Sequence, residues 1–241
     1  MSLFVSSLSQ DDQTALFRKS WTLYDAITER NYMFHRELYA QVLEMLRGYH
    51  ERREYSMLDL GCGNARFMAP CLLEVPPVMY QGVDLSAVAL EEARAHLSEM
   101  PGVSFQEADL LEAVVRHAGR FDVIFSGFAV HHLDSAAKQR LFYASAMRLR
   151  PGGSLMLVDL VREVGQTREA FLEGYLKMMR TRWTEVLPEQ LEEACAHVAT
   201  YDFPETLVEL RNMARVAGLT HMELVGKYGQ HHVLRFAMDA D

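Results

Sequence analysis

Apolar and polar positions change their period several times along this chain. Between residues 11 and 50, apolar residues recur at three- and four-residue spacing (Leu16, Leu23, Ile27, then Leu38, Val42, Met45, Leu46). That spacing predicts helices over 11–30 and 32–50. From residue 56 onward, short apolar runs alternate with amphipathic stretches. The runs predict strands near 56–60, 78–84, 103–107, 121–126, 154–160, 221–226 and 231–237, and the stretches predict helices near 64–74, 86–99, 135–148 and 205–217. Ser86, and Asp134 or Ser135, stand where helix N-caps belong, and Gly218 follows Val216-Ala217 as a C-terminal stop. Strand–helix alternation of this kind builds a parallel sheet with helices on both faces.

Two segments depart from the alternation. Residues 161–203 separate the fifth strand from the next helix and are predicted to be helical at 167–181 and 188–199. A long insert in a compact domain predicts a lid, although Met and aromatic residues at helical spacing also fit a packed core. Residues 1–54 form an N-terminal helical cap, closed by Gly48 and the charged run Glu51-Arg52-Arg53-Glu54. The domain reading is therefore a cap at 1–54 and an α/β domain at 55–241 that carries the insert.

Composition narrows the class. A chain of 241 residues, 49% hydrophobic, has enough apolar surface for one α/β domain with a lid. No apolar run reaches the ~18–20 residues of a membrane span, and Met1–Gln10 lacks the basic and apolar regions of a signal peptide. The net charge of −9, with no basic patch in either accessory region, argues against nucleic acid as a partner. Cys62, Cys71 and Cys195 form no CxxC pair, which predicts a reduced, cytoplasmic setting.

The chemistry is concentrated at predicted strand ends. Leu58-Asp59-Leu60-Gly61-Cys62-Gly63-Asn64-Ala65-Arg66 has an apolar lead-in, an acid, two glycines and a helix start, which is how a parallel strand meets a nucleotide-like ligand. Arg66 occupies the third-glycine position of G-x-G-x-x-G and speaks against a nicotinamide dehydrogenase. At matching intervals follow Val83-Asp84-Leu85-Ser86, Glu107-Ala108-Asp109-Leu110, Phe121-Asp122-Val123-Ile124-Phe125-Ser126 and Leu149-Arg150-Pro151-Gly152-Gly153. Asp84 is placed to accept ribose hydroxyls or to cap the next helix. After the fourth strand come His131 and His132, either of which could take a substrate proton or serve a structural hydrogen bond. His231 and His232 point to opposite faces of a strand and cannot share a metal; no metal site is predicted.

In this order the five segments resemble the class I S-adenosylmethionine (SAM)-dependent methyltransferases of small-molecule type, over roughly residues 55–237. The resemblance implies a doubly wound, mostly parallel seven-stranded sheet with an antiparallel last strand, and SAM as cofactor. It implies that Asp59, Gly61 and Gly63 hold the methionine end, Asp84 and Leu85 the ribose, and Asp109 and Leu110 the adenine, with Ser126 at the fourth strand end. Tyr24 and Arg36 of the cap would approach the sulfonium or the carboxylate, or else pack as part of an aromatic face with Trp21. His131 and His132 would lie beside the transferred methyl, and Phe128, Tyr175, Arg180, Trp183 and Tyr201 would meet the acceptor. Ala65 departs from the pattern, since many members carry a third glycine there. The implied activity is in-line methyl transfer to a small molecule, with neither nucleic acid nor membrane as partner. Transfer of a modified methyl group, with Arg36 or Arg180 beside an anionic group, is one alternative; a catalytically silent SAM-binding protein is another.

Overall fold

The most thoroughly apolar strands occupy the middle of the sheet. A computed structural model of the protein describes residues 27–238, which leaves Tyr24 and Trp21 outside the described residues. Within it, β1 (Ser56–Leu60), β4 (Phe121–Gly127), β5 (Leu149–Arg162) and β8 (His231–Ala237) are buried almost throughout. β3 (Val103–Glu107) and β7 (His221–Tyr228) lie at the edges and expose many of their residues. With β2 (Met79–Asp84), the order is β3-β2-β1-β4-β5-β8-β7. The first five strands are parallel, and β8 runs antiparallel to both β5 and β7. An eighth strand of two residues, β6 (Glu205–Thr206), pairs with the end of β5.

The helices are α1 (His35–His50), α2 (Met68–Glu74), α3 (Ala87–His96), α4 (Leu110–Arg116), α5 (Ser135–Arg148), α6 (Arg168–Arg182), α7 (Pro188–Tyr201) and α8 (Leu207–Val216). Ser86 caps α3 and Asp134 caps α5 as their sequence positions predict, and Thr206 with Glu209 forms a capping box on α8. On one face of the sheet, α4, α5 and α8 bury Leu111, Val114, Leu141, Phe142 and Leu210 against Leu58, Leu60, Ile124, Leu155 and Leu234. The side chain of Phe125, of opposite parity in β4, meets Tyr39 of α1 at 6.0 Å between ring centroids.

Two boundaries differ from the sequence pattern. α2 begins at Met68, four residues later than predicted, because Gly61, Gly63 and Ala65 take φ of 76°, 52° and 55°, which a right-handed helix cannot accommodate. The chain also divides into two compact units. Among the described residues, one collects 27–35 with Glu169–Asp202, and the other comprises Arg36–Arg168 and 203–238. α1 therefore groups with the sheet rather than with the segment that precedes it. At the end of the sheet where β1 and β4 begin, buried Asp122 accepts bonds from the Ser56 backbone N–H and hydroxyl and pairs with Arg53 and Arg150. No helix among the described residues is long and apolar enough to cross a membrane.

Candidate active site

Each strand on the β3-to-β5 side of the sheet ends in a group with chemical use. β1 delivers Asp59, which is fully buried. Its Oδ2 accepts from the Tyr80 hydroxyl at 2.8 Å, while Oδ1 is buried with no hydrogen-bond partner. Burial pushes this carboxyl up to about 7, the Tyr80 bond pulls it down and the Asp84 charge pushes it up again. Gly61 then turns the chain. A Cβ there would stand 2.8 Å from the Cβ of Ala129, so glycine is required by contact as well as by φ. Ala65 adopts the left-handed conformation with a Cβ, buried in the turn.

Asp84, at the end of β2, organises the glycine loop. Its Oδ2 accepts from Gly63 N–H at 2.8 Å and its Oδ1 from Ser86 N–H at 2.9 Å. Burial raises its pKa against the pull of those N–H groups. On the far side of the loop, the Asn64 carbonyl meets His96 Nδ1 at 2.8 Å and the Asn64 amide donates to Glu92. Asp109 follows β3 and uses Oδ1 to cap α4, accepting from Leu111 and Glu112 N–H groups. Oδ2 lies outside that cap. Leu85 is exposed, and the Ser126 hydroxyl is buried and donates to Leu60 carbonyl at 2.7 Å, tying β4 to β1.

β4 leads through Phe128, at a φ of 55°, into a single turn at Val130–His132. That turn buries His131 and leaves His132 exposed, with ring centroids 4.1 Å apart. His131 Nδ1 bonds to Asp159, a buried acid in β5. Burial raises Asp159, but the charge and hydrogen bond of His131, the Leu160 N–H and the nearby Lys138 charge outweigh it and hold the carboxyl low. His231 of β8 is buried beside this pair and faces Phe128 at 5.7 Å; burial, then the charge of His131, pushes it down to about 4.

Residues 57–153, which contain the glycine loop, Asp84, Asp109 and the histidine turn, match the family model described as a methyltransferase domain. The chain carries a methyltransferase domain. Among curated relatives, carboxy-S-adenosyl-L-methionine synthase of Aeromonas salmonicida is 29% identical over 188 residues, 75% of this chain and 73% of that protein. Ubiquinone biosynthesis O-methyltransferase of Thiobacillus denitrificans is 29% identical over 171 residues, 70% and 66% of the two chains. Human N-acetylserotonin methyltransferase, solved with SAM, shares the fold with a TM-score of 0.60 at 15% identity, over 97% of this chain and 60% of that one. The chain spans 51–73% of the length of the first three curated relatives.

For this methyltransferase, the loop and strand-end residues Asp59, Gly61, Gly63, Asp84, Asp109 and Leu110 are neighbours in one unit, together with Ser126, Phe128 and the two histidines. Arg36 is exposed on α1. Tyr175, Arg180, Trp183 and Tyr201 belong to the other unit. There, Tyr175 stacks on Phe171 and Trp183 stacks on Tyr32, whereas Arg180 is held by Glu192 through two 2.8 Å bonds. Trp183 Nε1 is buried without a hydrogen-bond partner. Asp159 and Tyr80 escape a reading by motif. A lone acid inside Leu155-Met156-Leu157-Val158-Asp159-Leu160-Val161 is nonetheless a visible signal, because burying an unpaired charge is costly.

Proposed function

We propose that this protein methylates a hydroxyl oxygen of a small molecule, with His131 as the general base. The carrying observation is the buried His131–Asp159 pair at the exit of β4, the strand that lies beside β1. A carboxylate acceptor would need no base, whereas a hydroxyl must shed a proton as its oxygen attacks. Asp159 holds Nδ1–H, which fixes the tautomer and directs Nε2 toward proton transfer. It also stabilises the imidazolium that results. Several curated relatives carry O-methyltransferase in their names, which supports oxygen as the acceptor atom.

The residues fit SAM. Bound SAM supplies an electrophilic methyl group. Asp59 Oδ1, buried and unpartnered, suits an ammonium; Asp84 carries spare lone pairs for ribose hydroxyls, and Asp109 Oδ2 with Leu110 N–H suits an amino-purine edge. The protein's remaining work is alignment of donor and acceptor in a water-poor site, worth up to ~7–11 kcal/mol in well-oriented systems. We place the protein in the cytoplasm, supported by its three free cysteines.

The similarity to carboxy-S-adenosyl-L-methionine synthase keeps a second reading, transfer of a modified methyl group. It calls for an arginine beside an anionic group, and the engagement of Arg180 by Glu192 weighs against that residue. Incubation with methyl-labelled SAM and a metabolite extract tests the main reading. Labelled ethers are expected, and turnover of SAM with no labelled ether among the products would overturn it.

A further inference from the structure

Tyr80 lies in a strand core where phenylalanine would pack equally well. Its ring is fully buried and edge-on to Phe105 at 6.0 Å, so only the hydroxyl distinguishes it. The β1–β2 register sets Met57 opposite Tyr80 and Asp59 opposite Gly82. With no side chain at Gly82, the Tyr80 hydroxyl reaches diagonally across the pair to Asp59 Oδ2 at 2.8 Å. A Cβ at Gly82 would lie 2.9 Å from Cys62 Sγ, so the gap is already filled by the loop above. One carboxyl oxygen is thus committed, and the other is buried, unpartnered and adjacent to the glycine loop.

We propose that Tyr80 is a positioning residue for the cofactor: by holding Oδ2 it presents Asp59 Oδ1 to the ammonium of SAM, and cofactor capture is coupled to loss of a proton from Asp59 to solvent. This rests on the cofactor reading above. The titratable groups acting with Asp59 are Tyr80 and Asp84 from β2 and Cys62 from the loop, with Tyr39 of α1 acting on Tyr80 and Arg94 of α3 on Cys62. None is a cation in contact with Asp59. With its carboxyl pushed up to about 7, mainly by burial, Asp59 gives up its proton less readily than an exposed carboxyl does. An arriving ammonium favours the carboxylate. Affinity should therefore fall as pH drops below about 7 and level off above it, until the α-amine of SAM itself loses its proton near ~8.

The test is calorimetric titration of SAM in buffers of different ionisation heat, between about pH 6 and pH 8, for the wild type, Tyr80→Phe and Asp59→Asn. Wild type should release a fraction of a proton per SAM at pH 7, and less at pH 8. Tyr80→Phe loses the bond that pulls the carboxyl down, so release should approach one proton and affinity should fall about tenfold at pH 7, with the gap narrowing by pH 8. Asp59→Asn should bind weakly with no release. A folded Tyr80→Phe protein that binds less tightly but releases the same proton count would reduce Tyr80 to packing and overturn the proposal, as would proton release persisting in Asp59→Asn. Carboxyl carbon NMR of the free protein, with the Asp59 signal identified by its absence in Asp59→Asn, gives a readout without ligand. The Asp59 midpoint must move upward in Tyr80→Phe. If the wild type does not bind SAM at all, the cofactor reading fails, while this titration still decides whether Tyr80 controls Asp59.

Discussion

Replacing Asp84 by alanine separates two jobs that one carboxylate performs. Its oxygens already accept from Gly63 and Ser86 N–H groups at 2.8 and 2.9 Å, and their remaining lone pairs are the ones a ribose would use. Loss of a charged acceptor at a partly buried site costs about 1.5–3 kcal/mol of binding, or roughly 10- to 150-fold in Kd. The same substitution unpins Gly63 in a loop that holds a left-handed conformation. Burial raises the Asp84 pKa, so the carboxylate is not at ease there, and removing it relieves desolvation that offsets part of the lost hydrogen bonding. The stability loss should accordingly be near the low end, about 1 kcal/mol, which lowers Tm by roughly 2–4 °C in a domain of this size. Asp84→Asn should fall between the two, because the amide accepts through one oxygen only. Calorimetry with SAM and a thermal melt read both effects. A cooperatively folded Asp84→Ala protein with an unchanged Kd would refute the ribose assignment.

Gly61→Ala should abolish detectable SAM binding, because its Cβ would collide with Ala129 and its φ of 76° disfavours any side chain; normal affinity by fluorescence titration would contradict this. Ala65→Gly should stabilise the free protein by up to about 1 kcal/mol by releasing left-handed strain, as read by urea unfolding. Asp159→Asn should lower turnover by about 10²–10⁴ with SAM affinity unchanged. Because the Asp159 pKa is depressed in the folded state, its ionised form stabilises the wild type above the unfolded carboxylate range of about 4, and that contribution disappears as pH falls through the lower folded value. Acid melts of wild type and Asp159→Asn should therefore converge at low pH, and parallel curves would contradict the pairing.

The parts of the site legible in the sequence are those where a conformation or a close approach leaves few residue choices. Gly61 and Gly63 announce the turn, and acids at regular intervals announce the strand ends. α4 goes unannounced because seven residues span barely two helical turns, too few to display a period, and Asp109 serves both as its cap and as a ligand candidate. Tyr80 and Asp159 depend on partners 21 and 28 positions away, which only strand register and a folded turn bring near. The two adjacent histidines differ for the same reason. Spacing cannot choose between neighbours, whereas the single turn at Val130–His132 buries His131 against Asp159 and leaves His132 exposed.

The position of β8 has a consequence for how the chain is made. β5 carries Asp159 and waits for a neighbour that leaves the ribosome about seventy residues later, since its antiparallel partner is His231–Ala237 rather than any strand before it. Until then, Ser154–Leu160 of β5 present an open edge on one side, the kind of edge that invites pairing with another nascent chain. The segment from β1 through β5 can meanwhile pair strand to strand as it emerges. A ribosome-bound intermediate would thus carry the glycine loop, Asp84, Asp109 and both members of the His131–Asp159 pair before β7 and β8 complete the sheet.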